Sequence, residues 1–178
     1  MSFDNLPQGT YWQSRFGNNP DNIGGNCHLY ATVGSDESKK TVIMVDRGIK
    51  FGAPNGYNAV LASPEGLYDG VSALVVTHPH EDHLGAIKHD VEMGIKMPPI
   101  YGSPFTAAML EKSLGAKGMA EIDMRVVEPN GTFEIGDMKI TMFPVDHMPG
   151  ARGLRMETPD STIIHTGDFK FDETLRLG

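Results

Sequence analysis

Cysteine occurs once, as Cys27, so no intrachain disulfide can form. That fits a reducing compartment, and a buried thiol is the expected role. No segment approaches the roughly 20 apolar residues of a membrane-spanning helix. The opening residues, MSFDNLPQGTYW, lack the basic-then-apolar order of a secretory signal, so a cytoplasmic protein is expected. Positive charge is also scarce. The chain has 15 basic and 23 acidic side chains, a formal net charge of -8, and no basic run longer than Lys39-Lys40. This excludes a protein that coats nucleic acid by bulk charge, but not one that grips it in a local groove. Internal repeats and low-complexity segments are absent too.

What is present is enough for one real core. The 178 residues are 39% hydrophobic, and a single domain over 1–178 is the natural reading. With 21 glycines and 12 prolines, tight turns and short elements are expected. The 11 methionines mostly fill core gaps. Residues 22–31 and 41–48 read as strands that form a hairpin across the polar stretch 34–40. Residues 49–70 read as a long loop, of the kind that often borders a site. VSALVVTH, at 71–78, has the apolar, β-branched pattern of a central strand. A helix follows over 84–93, with Leu84, Ile87 and Val91 on one face and Gly94 as its stop. Strand 98–103 leads into a helix over 104–118, with Pro104 in its first turn and Ser103 as cap. Strand 124–129 meets a hairpin signal at Asn130-Gly131. An alternating segment then runs through Phe133, Ile135, Ile140, Met142 and Val145. Two last strands, 153–158 and 161–169, flank Pro159-Asp160. Tyr11, Trp12 and Phe16 read as packing residues or as an aromatic cluster near a site. The order is strand-rich with helices after single strands, which predicts an α/β core of two sheets with helices outside.

The densest chemical signal is THPHEDHLGA, which places His78, His80, Asp82 and His83 within six positions at the end of a buried strand. Imidazole nitrogens and carboxylate oxygens hold zinc or manganese at hydrolytic centres. His78 and His80, two apart, can reach one metal, while Asp82 and His83 face a second position. His147 and Asp168 follow two later strands. His147 completes a three-histidine site, and Asp168 has two oxygens with which to bridge two ions. Asp46 ends a strand and is read as orienting a ligating histidine from behind. His165, inside an apolar run, is read as a satisfied core histidine or one behind the ligands.

The strings NIGGN, IMVDRG, THPHEDHLGA, PIYGS and IIHTGDFKFDET resemble the metallo-β-lactamase superfamily, and within it the ribonuclease J type of β-CASP nuclease. The resemblance covers nearly the whole chain. It implies an αββα sandwich of two mixed sheets packed face to face, with outer helices and metals at one edge. It implies that His78, His80 and His147 hold one zinc, and that Asp82 and His83 hold another with Asp168 between them. Mn2+ is the second choice. In that family the β-CASP domain is inserted after the segment matching GDFKFDET, so the expectation is a truncated lactamase domain without that insertion. The last histidine of the second metal would be absent with it. Two departures stand out: MPGA follows His147 where the family has a Ser-Ile-Pro-Asp-like run, and Arg47 rather than glycine follows Asp46.

Two divalent ions about 3.5–4 Å apart make hydroxide available at neutral pH and stabilise charge on phosphoryl oxygens. The expected activity is therefore metal-dependent hydrolysis, foremost of RNA phosphodiesters. Asp82 and His147 are the catalytic candidates, with Asp82 positioned to orient the nucleophile. Two other readings stand beside it. One is a hydrolase of a small ester, lactam or thioester. The other is an accessory metal-binding subunit that needs a homo-oligomeric or partner chain to complete the fold.

Overall fold

Strands covered on both faces carry unbroken apolar runs, and strands covered on one face alternate; this chain uses both kinds. The computed structural model describes residues 6–16, 25–35, 40–51, 59–60 and 66–170. Along the chain come β1 (Gly9–Phe16), β2 (Cys27–Val33), β3 (Lys40–Val45), β4 (Lys50–Phe51), β5 (Ala59–Val60) and β6 (Ala73–Val75). The helices α1 (Glu81–Leu84) and α2 (Ala86–Glu92) follow, then β7 (Ile100–Gly102), α3 (Pro104–Met119) and β8 (Met124–Val126). The last strands are β9 (Gly131–Ile135), β10 (Met138–Pro144), β11 (Arg152–Glu157) and β12 (Thr162–His165).

The first sheet has the order β1-β2-β3-β6-β7-β8. Its β1–β2 and β2–β3 pairs are antiparallel, and β3, β6, β7 and β8 run parallel. Successive residues of β3 point to opposite faces. Val42 and Met44 enter the layer under the helices with Leu74, Ile87 and Leu110, while Ile43 and Val45 enter the layer between the sheets. Both faces are dry, which is why TVIMV needs no apolar–polar alternation. The second sheet, β12-β11-β10-β9, is antiparallel throughout and so is not mixed as expected; it is a run of successive hairpins. It alternates: Ile140, Met142, Leu154 and Met156 face the first sheet, while Lys139 and Arg155 are exposed. Each fully buried aliphatic side chain is worth about 1.5–3 kcal/mol, so this shared layer holds the sheets face to face. Among the described residues, no helix covers the outer face of the second sheet.

The parallel strands β3, β6 and β7 end at a common edge, and there Asp46, the stretch Thr77–His83, and Ser103 emerge. From the second sheet, the 145–151 connection and the exit of β12 reach the same edge. The Arg152 N–H donates to the Thr77 carbonyl at 2.9 Å and ties the sheets together there.

Several elements differ from the sequence reading. Tyr11 and Trp12 lie on β1, an edge strand that was not expected; Tyr11 packs on the core, Trp12 is exposed, and the Phe16 side chain lies outside the described residues. The expected 34–40 hairpin loop joins β2 to β3 in antiparallel register, with Val33 opposite Lys40 and residues 36–39 outside the description. Within the expected 49–70 loop, β4 pairs with β5; residues 52–58 and 61–65 lie outside the described residues, as do 22–24 and the tail 171–178. Helix begins inside the histidine motif, at Glu81, because Glu81 and Asp82 favour the positive end of a first turn. The α3 helix has its Ser103 cap, and its regular path breaks at Gly115 (φ 64°). Asn130-Gly131 does not close a hairpin, because among the described residues β8 pairs with β7 alone and the chain crosses there to the second sheet; the hairpin turn is Gly136-Asp137. No helix among the described residues is long and apolar enough to cross a membrane.

Candidate metal centre

The floor of the site is a turn with unusual backbone. Asp46 has φ 63°, a left-handed conformation that non-glycine residues seldom adopt and that clusters at functional sites. The surroundings hold it there. Its N–H donates to the Val75 carbonyl (2.9 Å), the Arg47 N–H to the His83 carbonyl (2.6 Å), and the Gly48 N–H to the Asn26 carbonyl (2.9 Å). Position 48 must be glycine, since a Cβ would lie 1.7 Å from the Asp82 carbonyl oxygen. Arg47, which stands where the resembled family has glycine, is buried and makes a two-pronged contact with Asp90 (Nε–Oδ2 2.8 Å, Nη2–Oδ1 2.9 Å). The Tyr68 hydroxyl donates to the same carboxylate at 2.5 Å. This network bolts the turn to α2.

Asp46 then organises two histidines. Its carboxylate accepts from the Thr77 N–H (2.8 Å) and Thr77 Oγ1 (2.9 Å), and stands 2.8 Å from His83 Nδ1. Thr77 Oγ1 is also 3.1 Å from His78 Nδ1. With Nδ1–H donating to Asp46 in His83 and to Thr77 in His78, Nε2 of each ring points into the site, as a lone pair in His78 and, once the imidazolium gives up its second proton, in His83. Orienting a ligand-type histidine is the part assigned to Asp46 from sequence. Asn26 supports the same turn: its N–H and its Nδ2 both donate to the Asp82 carbonyl, at 2.9 and 3.2 Å.

All six ligand candidates come together. His78, His80, His147 and Asp168 each offer an atom within 4.8 Å of the others, and so do Asp82, His83 and Asp168. His80 Nδ1 faces both His78 Nε2 and His147 Nε2 at 3.1 Å. Ligand nitrogens around a tetrahedral ion at 2.0–2.1 Å stand about 3.3 Å apart. One proton on His80 cannot satisfy two facing nitrogens well, whereas one cation satisfies three lone pairs. The donor set and its spacing therefore fit a divalent metal. Asp168 belongs to both groups, with Oδ1 3.4 Å from His83 Nε2 and Oδ2 3.7 Å from His147 Nε2.

Charge is distributed to match. Burial opposes protonation of His83, but Asp46, Asp168 and Asp82 outweigh it and raise its pKa to about 10. Burial also penalises the Asp46 carboxylate, yet the His83 cation keeps its pKa low. Asp168 is held down to about 2, chiefly by its hydrogen bond to His83. His78 is lowered to about 4 by burial and by the neighbouring His83 cation, and stays neutral.

His165 lies apart from the ligands. Its Nδ1 is 2.8 Å from the Tyr30 hydroxyl, and its ring meets His28 edge-on at 5.3 Å. The supporting residues that sequence reasoning missed are Asn26, Tyr30, Tyr68, Thr77 and Asp90. Only Asn26 and Thr77 carried a signal, as members of NIGGN and THPHEDH.

A two-sheet sandwich with a histidine–aspartate cluster at one edge defines a metallo-β-lactamase fold, and residues 41–177 match the Beta-lactamase superfamily domain; the chain belongs to that superfamily. Within it, the chain is 36% identical over 163 residues to Ribonuclease J of Sinorhizobium meliloti, covering 88% of this chain and 28% of that protein. It is 33% identical over 159 residues to Ribonuclease J 1 of Streptococcus pyogenes, covering 85% of this chain and 28% of the relative. The chain thus spans well under a third of the length of these relatives. In structure it is similar to the metallo-beta-lactamase fold protein YhfI from Bacillus subtilis, with a TM-score of 0.65 at 18% identity over 94% of this chain and 66% of that one. A protein of unknown function from Enterococcus faecalis gives a TM-score of 0.60 at 20% identity, over 92% and 44% of the two chains.

Proposed function

We propose that the chain is a metal-dependent phosphodiesterase that cleaves RNA. The observation that carries this reading is the convergence of six donor side chains, from separate strand ends, on one edge of the sandwich. The relatives' name, Ribonuclease J, supports RNA as the substrate.

In this reading His78, His80 and His147 would hold one Zn2+ and Asp82 and His83 a second, with Asp168 available to both; Mn2+ is the alternative occupant. Bound there, the ions would supply hydroxide at neutral pH and offset charge on the phosphoryl oxygens. The protein's own residues do the rest. Asp46 and Thr77 fix the tautomers of His83 and His78, so that no ligand has to reorient when the site loads. Asp82, half-buried beside His83, accepts a hydrogen bond from the attacking water and sets its direction. His147 enters from the second sheet and closes the three-imidazole cluster, so it aligns the reacting groups only when the sheets are docked.

The test combines metal analysis with cleavage of 5′-labelled single-stranded RNA. Two Zn2+ or Mn2+ per chain, with cleavage that needs the metal and is lost in His80→Ala, is the expected result. Bound metal with no cleavage of RNA would overturn the nuclease reading in favour of an accessory role.

A further inference from the structure

One strongly polar group at the same edge has no task in the metal centre. Arg152 opens β11 and shares a strand face with Leu154 and Met156, which point into the layer between the sheets. It is 7% exposed. Its Nη1 donates to the Ala151 carbonyl at 3.0 Å, while its Nε is buried with no partner. Among the described residues, the arginine–carboxylate pairs are Arg47–Asp90, Arg125–Asp123 and Arg155–Glu157. Arg152 belongs to none of them, whereas the other buried arginine, Arg47, has the Asp90 carboxylate as its counter-ion. A guanidinium stays charged inside a protein, and a buried charge without a counter-ion is costly.

Its backbone lies beside the metal centre. The Arg152 N–H donates to the Thr77 carbonyl at 2.9 Å, and its own carbonyl lies 3.2 Å from where Gly167 would carry a Cβ. Arg152 is therefore one residue removed from contact with both His78 and Asp168. The connection leading into it carries His147, and Gly150 of that connection rests on the start of α3. A Cβ at Gly150 would come within 2.7 Å of Ser103 Oγ and 2.6 Å of Phe105 Cβ. The positive end of α3, capped by Ser103 through the Thr106 N–H at 3.1 Å, adds to the potential at this corner. Exposed Glu128 is the carboxylate that opposes the effect of burial on Arg152, and it does not reach ion-pair distance.

We propose that Arg152 is a phosphate-binding residue, which holds a phosphate group of a polynucleotide on the flank of the metal centre bounded by Ser103 and Glu128. The inference rests on the phosphodiester reading for the nature of its ligand. When one phosphate of a nucleic-acid strand lies at the metal centre, its neighbours pass the flanks. A guanidinium with no carboxylate partner suits a phosphate oxygen there.

Inorganic phosphate, titrated into the metal-free and the metal-loaded chain, is expected to move the Arg152 Nε–Hε resonance in both. Arg152→Met is expected to weaken binding of phosphate and of a single-stranded RNA by about tenfold or more, the loss of one charge-assisted hydrogen bond. Arg152→Lys should recover part of the affinity, since it keeps the charge without the fork. The methionine variant should melt at or above the temperature of the native chain, because it replaces an unmatched buried cation by an apolar side chain. A purely structural arginine would instead lose stability and leave phosphate affinity alone. The inference is overturned if the resonance stays still at saturating phosphate and RNA while Arg152→Met binds both undiminished, even in a chain that cleaves RNA. A phosphate-dependent shift in a chain that cleaves no phosphodiester supports the Arg152 site and defeats the nuclease reading instead.

Discussion

His78 and His83 are 0% and 3% exposed, and each has a partner for its Nδ1 beneath it, whereas the side chains of His147 and Asp168 are 23% and 47% exposed. The first pair grows from the parallel strands of the first sheet and is braced by Asp46, Thr77 and the Arg47–Asp90 contact. The second pair arrives from the antiparallel sheet on short connections. Those connections are tied down by few bonds: Arg152 N–H to the Thr77 carbonyl at 2.9 Å, and Lys170 N–H to the Asp146 carbonyl at 2.8 Å. One half of the candidate centre is thus set by the fold before any ion arrives, and the other half is delivered to it. The two halves should respond differently to mutation. Damage behind the first should cost stability in the metal-free chain, while damage to the second should cost only what depends on metal.

Asp46→Ala is the most severe way to break this contrast. It removes the anion 2.8 Å from His83 Nδ1 and leaves a buried imidazolium with no anion behind it. Removing one partner of a buried ion pair costs about 3–5 kcal/mol. The urea midpoint of the metal-free chain should fall accordingly. A loss below about 1 kcal/mol, the scale of an exposed ion pair, would mean that Asp46 does not brace the first half.

The braced half was also the more legible one. THPHEDHLGA announces itself because four ligand-type residues follow a run that can only be a buried strand. His147 and Asp168 were reachable because each follows a strand pattern. The support beneath was much less visible. Thr77 looks like an ordinary strand-end threonine, and Asp90 and Tyr68 lie in segments that read as a helix surface and a loop. Their roles appear only when α2 packs on the Arg47 turn. Strand β1 was missed because GTYWQSRF mixes aromatic and polar residues, and an edge strand leans on one neighbour alone. Asn130-Gly131 misled because turn chemistry reports a local reversal without saying which sheet receives the next strand. Arg152 carried no signal at all, since an arginine beside glycine reads as surface until its strand face is known.

The protonation states sharpen the contrast in a second way. His83, raised to about 10 from 6.5, holds its proton in the folded chain after the unfolded chain has lost it. Its contribution is full below pH 6.5 and disappears as pH rises through about 10. His78, lowered to about 4, acts oppositely: between pH 4 and 6.5 the unfolded chain takes a proton that the folded chain refuses, so stability rises with pH there. Metal-free stability from urea unfolding should therefore peak near pH 6.5 and decline on both sides, and the alkaline decline should be absent in His83→Gln. Stability that climbs steadily through pH 8 would show that Asp46 and His83 are not an ion pair.

His147→Ala should have the smallest effect on the metal-free chain. The side chain is partly exposed, among the described residues its ring meets the rings of His78 and His80, and the second sheet keeps its apolar face without it. Surface substitutions of this kind change stability by no more than about 0.5 kcal/mol. The cluster around His80 should nonetheless lose its third imidazole, so that a zinc chelator strips the variant at concentrations that leave the native chain loaded. Paired with Asp46→Ala, this variant separates fold from site. If His147→Ala instead unfolds the metal-free chain as readily as Asp46→Ala does, the 145–151 connection is part of the framework, and the division between a braced half and a delivered half fails.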